Sequence, residues 1–249
     1  MKILIANPNT STGVTDRLVA SAKLVASPGT ELLPMTASRG VPYIATRAEA
    51  AIGAAAALEM LAERRTEIDA AVVAAFGDPG LGGARELFDF PVVGMAEAAM
   101  LVACTLGRSF AIVSFSRSLE PWFAEIVAWH GLSGRCAVIR TLDESFRSIE
   151  DVQEEKESVL VDLALSTVTS DSADVVILAG APLAGLANKI RDRMPVPLVD
   201  GIQAATVMAE GLVRLKPRKA TAGTFRRPGP KDSKGLAPAL ADVIGHRDS

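Results

Sequence analysis

Side chains able to carry chemistry are scarce in this 249-residue chain, which has two cysteines (Cys104, Cys136), two histidines (His130, His246) and one tyrosine, Tyr43. Polar candidates gather instead in short loops that follow apolar runs. Asn7, Asn9, Thr10 and Ser11 follow one such run, Ser114, Ser116, Arg117 and Ser118 another, and Phe76-Gly77-Asp78 and Gly180-Ala181 two more. Asn, Thr and Ser supply neutral donors and acceptors, and glycine-rich loops leave backbone amides open to a ligand. Such groups suit a small carboxylate or cyclic amide. Asn9 and Thr10 lead as binders, with the amides at Gly77 and Ala181 placed to hold a developing oxyanion. Asp78 is the only carboxylate in the loops around Phe76 and Gly180 and so the candidate general base. The competing reading is an Asp-Pro-Gly turn whose aspartate binds backbone amides. Glu97 and Gln203 open helices, where a carboxylate is explained by the helix dipole. Tyr43 is a candidate to line the site or donate a proton.

The loops come in pairs. Asp69-Ala-Ala-Val-Val-Ala-Ala75, leading to Gly80-Leu81, is echoed by Asp174-Val-Val-Ile-Leu-Ala-Gly180, leading to Gly185-Leu186, at a spacing of 105 residues. Pro91-Val-Val-Gly-Met-Ala-Glu97 is echoed by Pro197-Leu-Val-Asp-Gly-Ile-Gln203 at a spacing of 106. More weakly, Ile3-Leu-Ile-Ala-Asn7 matches Phe110-Ala-Ile-Val-Ser114 at 107. Three pairs in one order at a domain-sized period indicate an internal duplication.

Short apolar runs over 2–6, 70–74, 92–93, 110–114, 136–140, 175–179 and 198–199 read as strands. Helical patterns over 15–25, 47–65, 96–106, 119–130, 149–169 and 202–215 separate them, with a closing helix over 236–244. Apolar strands alternating with amphipathic helices predict an α/β fold with parallel sheets covered on both faces. With the duplication this becomes two pseudo-symmetric doubly wound halves, residues 1–95 plus 206–249 and residues 96–205, with the site in the cleft between them. Sites in such sheets lie beyond the strands' carboxyl ends, which sets Asp69, Asp174 and Cys136 on the far, structural edge. The basic Pro/Gly stretch 216–235 reads as a solvated tail, with a phosphate or acidic partner as its alternative.

A formal net charge of −3 argues against nucleic acid as the main partner, and no apolar run is long enough to cross a bilayer. Two cysteines make no disulfide framework, which points to a reducing cytoplasm. With so few soft ligands no zinc or iron site is expected, and no cofactor is implied.

At these loops the sequence resembles the Asp/Glu racemase superfamily and, within it, the hydantoin and allantoin racemase group. The segments that carry the resemblance are Ile5-Ala-Asn-Pro-Asn-Thr-Ser11, Pro42-Tyr-Ile-Ala-Thr-Arg-Ala-Glu49, Phe76-Gly-Asp-Pro-Gly-Leu81, Val93-Gly-Met-Ala-Glu-Ala-Ala-Met100, Val199-Asp-Gly-Ile-Gln-Ala-Ala205 and Lys219-Ala-Thr-Ala-Gly-Thr-Phe225. The resemblance implies a homo-oligomeric, cofactor-independent enzyme in which two cysteine thiols face one carbon, one removing its proton and the other returning it on the opposite side. The implied cysteine positions hold Ala75 and Gly180, equivalent sites of the repeat. Neither residue carries a proton, so two-thiol racemisation is not expected here. Ala181-Pro-Leu-Ala-Gly185 also departs from the group's pattern, which favours natural divergence over a simple replacement of cysteines. The expectation is an isomerase or lyase using other acid/base groups on a carboxylate, hydantoin or ureide; its alternative is a silent binding protein that kept the cleft.

Overall fold

A computed structural model describes residues 1–143 and 145–247. Its elements alternate through the chain: β1 (Lys2–Asn7), α1 (Thr12–Lys23), β2 (Glu31–Thr36), α2 (Arg47–Arg64), β3 (Ala70–Val73), α3 (Leu81–Leu87), β4 (Val92–Gly94) and α4 (Met95–Leu106). The second series is β5 (Phe110–Ser114), α5 (Glu120–Trp129), β6 (Cys136–Thr141), α6 (Val152–Thr169), β7 (Val175–Leu178), α7 (Leu186–Ile190), β8 (Leu198–Asp200) and α8 (Gly201–Leu215), followed by α9 (Pro238–Ile244). The strands form two four-stranded sheets, ordered β2-β1-β3-β4 and β6-β5-β7-β8. All pairings are parallel.

The duplication is carried into the register. Ile3 pairs with Ala70 and Phe110 with Val175, while Ala71 pairs with Val92 and Val176 with Leu198. These are the spacings of 107, 105 and 106 that the sequence displays. Even the aspartates ahead of the paired strands act alike. Asp69 accepts from the Lys2 amide at 2.7 Å, and Asp174 from the amides of Arg108 and Ser109 at 2.9 and 3.0 Å. Each ties the start of one strand to the start of its neighbour.

Period-two alternation places the two faces of the first sheet in different cores. Ile3, Ile5, Ala70 and Val72 face a large core shared with the second half, through α1, α4 and α8. Leu4, Ala6, Ala71 and Val73 face a smaller core capped by α2, α3 and α9. Strand β2 and helices α3 and α7 do not emerge from the apolar pattern of the sequence. Strand β2 carries Pro34, which is tolerated because β2 is an edge strand and its outer N–H positions need no partner. Helices α3 and α7 have only seven and five residues, too short for a periodic signal. Both begin after a left-handed glycine, Gly80 at φ 83° and Gly185 at φ 86°, the conformation glycine adopts without strain.

The 216–235 segment runs over the surface, mostly exposed. Lys219 Nζ anchors its start on the carbonyls of Arg85 and Phe88 at the end of α3, where a cation meets the negative end of the helix. No helix is long and apolar enough to cross a membrane among the described residues.

Helix α8 is stapled to the α1–β2 connection by Glu210. Its carboxylate accepts from Ser27 N (2.8 Å), Ser27 Oγ (2.6 Å) and Thr30 Oγ1 (2.5 Å). Burial pushes this carboxyl up, but the Ser27 and Thr30 hydrogen bonds outweigh it and hold Glu210 below the ordinary glutamate range. A depressed folded-state pKa means stability that is present above the unfolded value, about 4.3, and lost as pH falls through the lower folded value. We expect E210A to lower unfolding free energy by about 2 kcal/mol at pH 7, with the difference from wild type shrinking below about pH 4 in urea titrations. A pH-independent difference would show that packing, not the charge, is what Glu210 contributes.

Candidate active site

The loops beyond β1, β3, β5 and β7 converge where the two halves meet. They enclose a small cavity lined by Asn9, Tyr43, Ile44, Ala75, Phe76, Phe115, Leu119, Trp122, Phe123, Gly180, Ala181 and Pro182. Both implied cysteine positions, Ala75 and Gly180, are on its wall. The cavity is tight, about 30 Å³, room for a water molecule or two. Five of the chain's eleven aromatic rings line it, so the wall is largely apolar. Phe76 packs edge-on to Phe123 at 4.9 Å, and Phe146 meets the edges of both Phe115 and Tyr43.

Of the polar residues that sequence singles out, Asn9 and Tyr43 reach this wall. Asn9 is oriented by its neighbours: its Oδ1 accepts from Ser11 N and Asn7 Nδ2, both at 2.9 Å. Its Nδ2 makes no hydrogen bond among the described residues. Asn7 is a buried brace, donating also to Ser11 O (3.1 Å) and Thr15 Oγ1 (2.9 Å). Ser11 caps α1 and donates to Glu150 of the other half at 2.9 Å, while the Thr10 amide binds Val41 O. Ser114 Oγ is buried on Ala179 O at 2.8 Å, and Ser116 pairs with Ser118 near the surface. Asn7, Thr10, Ser11, Ser114 and Ser116 therefore build the loops without lining the cavity. Phe115, between the two serines, faces inward because successive side chains of an extended run point to opposite sides.

Backbone donors are present from both loops. The amides of Phe76, Gly77, Gly180 and Ala181 donate to no protein acceptor among the described residues, although neighbouring amides in both loops are bonded. Phe76 and Ala181 lie on the cavity wall, one from each half.

Asp78 does not line the cavity. Its Oδ1 accepts from Ala96 N and its Oδ2 from Glu97 N, each at 2.8 Å, so the carboxylate caps helix α4 and not its own turn. Burial pushes its pKa up, while His130 and the two amides pull the other way. His130, at the end of α5, sets Nε2 3.4 Å from Asp78 Oδ2 and Nδ1 3.6 Å from Glu97 Oε1. Glu97 is in turn held in a two-pronged pair by Arg85. His130 thus links α5 of one half to the site loop of the other, a role its sequence surroundings do not signal. Asp200 mirrors Asp78: it caps α8 and accepts from the Gly185 amide at 2.5 Å and Ser21 Oγ at 3.1 Å. Gln203, the counterpart of Glu97, donates to Ser21 Oγ at 3.0 Å.

Neither cysteine lines the cavity. Cys104 is half-buried in α4. Cys136 donates to Val138 O at 3.7 Å, and burial pushes its thiol up to about 11, away from reactive thiolate. Ile44, Phe115, Leu119, Trp122, Phe123 and Pro182 also line the cavity, and nothing in their types or spacing marks them as site residues. The apolar stripe of α5 that holds Trp122 and Phe123 reads as ordinary core until the halves are seen to meet there.

A family model described as Asp/Glu/Hydantoin racemase matches residues 3–209, and the chain belongs to that family. It is similar to the hydantoin racemase of Paenarthrobacter aurescens, 32% identical over 93% of this chain and 99% of that protein. Among solved structures, the allantoin racemase from Klebsiella pneumoniae superposes with a TM-score of 0.91 at 32% identity, covering 96% of this chain and 98% of that one. Unliganded arylmalonate decarboxylase shares the fold at 16% identity with a TM-score of 0.60, covering 85% and 92%.

The two equivalent positions differ in backbone. Gly180 has φ +111°, and a Cβ there would come 2.8 Å from Phe115 Cε1; Ala75 has neither restriction. We expect A75C to fold within about 1 kcal/mol of wild type. G180C should lose about 1–3 kcal/mol by thermal or urea unfolding, from backbone strain and the Phe115 clash. Equal stability of the two variants would mean that the Gly180 loop relaxes freely.

Proposed function

We propose that this racemase-family protein is a cofactor-independent enzyme that binds a small cyclic amide, ureide or carboxylate in the cavity. It handles a proton on the carbon beside the carbonyl without a thiol. The observation that carries the reading is the pairing of amide donors from both repeat loops with a single proton-bearing side chain, Tyr43. Asn9 Nδ2 and the amides of Phe76 and Ala181 would hold the ligand's carbonyl oxygen and stabilise it as charge develops towards an enolate. Tyr43 would enter as its phenolate, take the proton from carbon to become the neutral phenol, exchange that proton with solvent and return one to the same face, regenerating the phenolate. The names of the hydantoin and allantoin racemase relatives support the ligand class, as does the near-neutral donor set.

One proton carrier on one face has a stereochemical consequence. A proton removed and returned from the same side exchanges with solvent while the centre keeps its configuration. Two carriers on opposite faces invert it.

A second reading, a silent binding protein, is favoured by one specific feature. The lining holds no Asp, Glu, His, Lys or Cys, the side chains that most often serve as a general base.

Enantiopure 5-substituted hydantoins and amino acids incubated in D2O, with NMR for exchange and chiral chromatography for configuration, separate these readings. We expect exchange with retention in the native protein. Y43F should reduce that exchange by about 100-fold or more while ligand binding persists. The A75C/G180C double variant should add inversion if it folds, and A75C alone serves if it does not. Exchange insensitive to Y43F would overturn the role of Tyr43. Binding without exchange in every form would establish the silent reading.

A further inference from the structure

Outside the cavity lies a groove of about 310 Å³, far larger than the 30 Å³ within. Its walls are Ala50 and Ala54 of α2, the 77–82 loop, and Trp122, Ile126 and Trp129 of α5. The last three fall at i, i+4 and i+7, one face of a helix. Trp122 is the one residue common to both spaces. The chain has two tryptophans, and both are here. Each lies against a glycine: a Cβ on Gly77 would overlap the Trp122 ring, and one on Gly82 would sit 3.8 Å from Trp129 Cζ2. Trp129 is 58% exposed and its indole meets the His130 ring edge-on at 4.7 Å, an unusual place for so large an apolar side chain.

We propose that this groove is a second subsite that takes a flat, apolar substituent of the ligand, with Trp122 as the movable wall between it and the cavity. The inference rests on the small-ligand reading given above and names which members of that class the protein selects. The volumes carry the argument. The cavity has room for water but not for a substituted ring, so binding must displace part of its wall. Trp122 is the wall segment with empty space behind it. Turning its indole away from Gly77 joins the two spaces into one of the size that small-molecule sites have. A planar ring would then lie between glycine backbone and two indoles, with aromatic contacts worth a factor of about 2 to 12 in affinity.

Hydantoin and 5-benzylhydantoin serve as probes, differing only in the group assigned to the groove. Affinities are measured by calorimetry for wild type, W129A and W129F. Tryptophan emission is followed in W122F, whose remaining indole is Trp129. We expect 5-benzylhydantoin to bind more tightly than hydantoin and to shift Trp129 emission, while hydantoin leaves that emission unchanged. W129A should weaken 5-benzylhydantoin by about 2- to 12-fold without affecting hydantoin, and W129F should recover most of the loss. If both compounds bind equally well and W129A changes neither, the subsite is wrong and the cavity reading survives. Equal weakening of both by W129A would make Trp129 merely structural and also overturn the subsite. A loss of Trp129 exposure with protein concentration, seen with self-association by light scattering, would assign the groove to a second copy instead. Binding of neither compound would overturn the subsite together with the reading it rests on.

Discussion

Two buried carboxylates, Asp78 and Asp200, hold the geometry on which the rest of the site depends. Each repeat must join the loop after its third strand to the helix after its fourth, and each does so with one aspartate. In the first repeat Asp78 reaches out of the loop to the amides of α4. In the second, Asp200 sits at the head of α8 and reaches back to the Gly185 amide of the loop. The exchange is visible in the glycine at the equivalent helix start, where a Cβ on Gly94 would overlap the Asp78 carboxylate. Burial raises the pKa of both aspartates, so each is kept by its amide partners and not by solvent. With the loops fixed, Phe76 and Ala181, whose amides have no protein acceptor among the described residues, are held on the cavity wall from both sides.

Because the carboxylates serve as struts, little ionisable chemistry is left at the site. Polar side chains that neighbour it in sequence brace the loops, and aromatic rings line the wall. Links between the halves lie around the cavity: Ser11 with Glu150, Arg17 with Glu154, Arg47 with Glu125, and His130 with Asp78. Two of them, Arg17 with Glu154 and Arg47 with Glu125, are exposed ion pairs that solvent and salt screen. The lasting join is the shared apolar core beneath.

The site is half legible from sequence. Asn9, Tyr43, Ala75, Phe76, Gly180 and Ala181 stand in recognisable loops, and all line the cavity. Asp78 and Ser114 stand in equally recognisable loops and do not, since loop membership does not say where a side chain turns. Phe115 and Trp122 were hidden for the converse reason. Apolar residues in a strand end or helix stripe look like core, and only the meeting of two halves makes them the wall of a site. Strand β2 was hidden by Pro34, whose acceptability depends on an edge position that local sequence does not reveal.

The sequence alone determined the duplication, the parallel α/β class and the absence of thiols at two equivalent positions. All three are matters of residue type and spacing, and periodic burial leaves a periodic trace. Tertiary structure decided which loop residues line the cavity, that Asp78 is a strut, and that both tryptophans meet at one groove. Those outcomes turn on contacts between residues far apart in the chain, such as Asp78 with His130 and Gly77 with Trp122. No local pattern records such a contact, because it exists only once two independently legible halves have packed against each other.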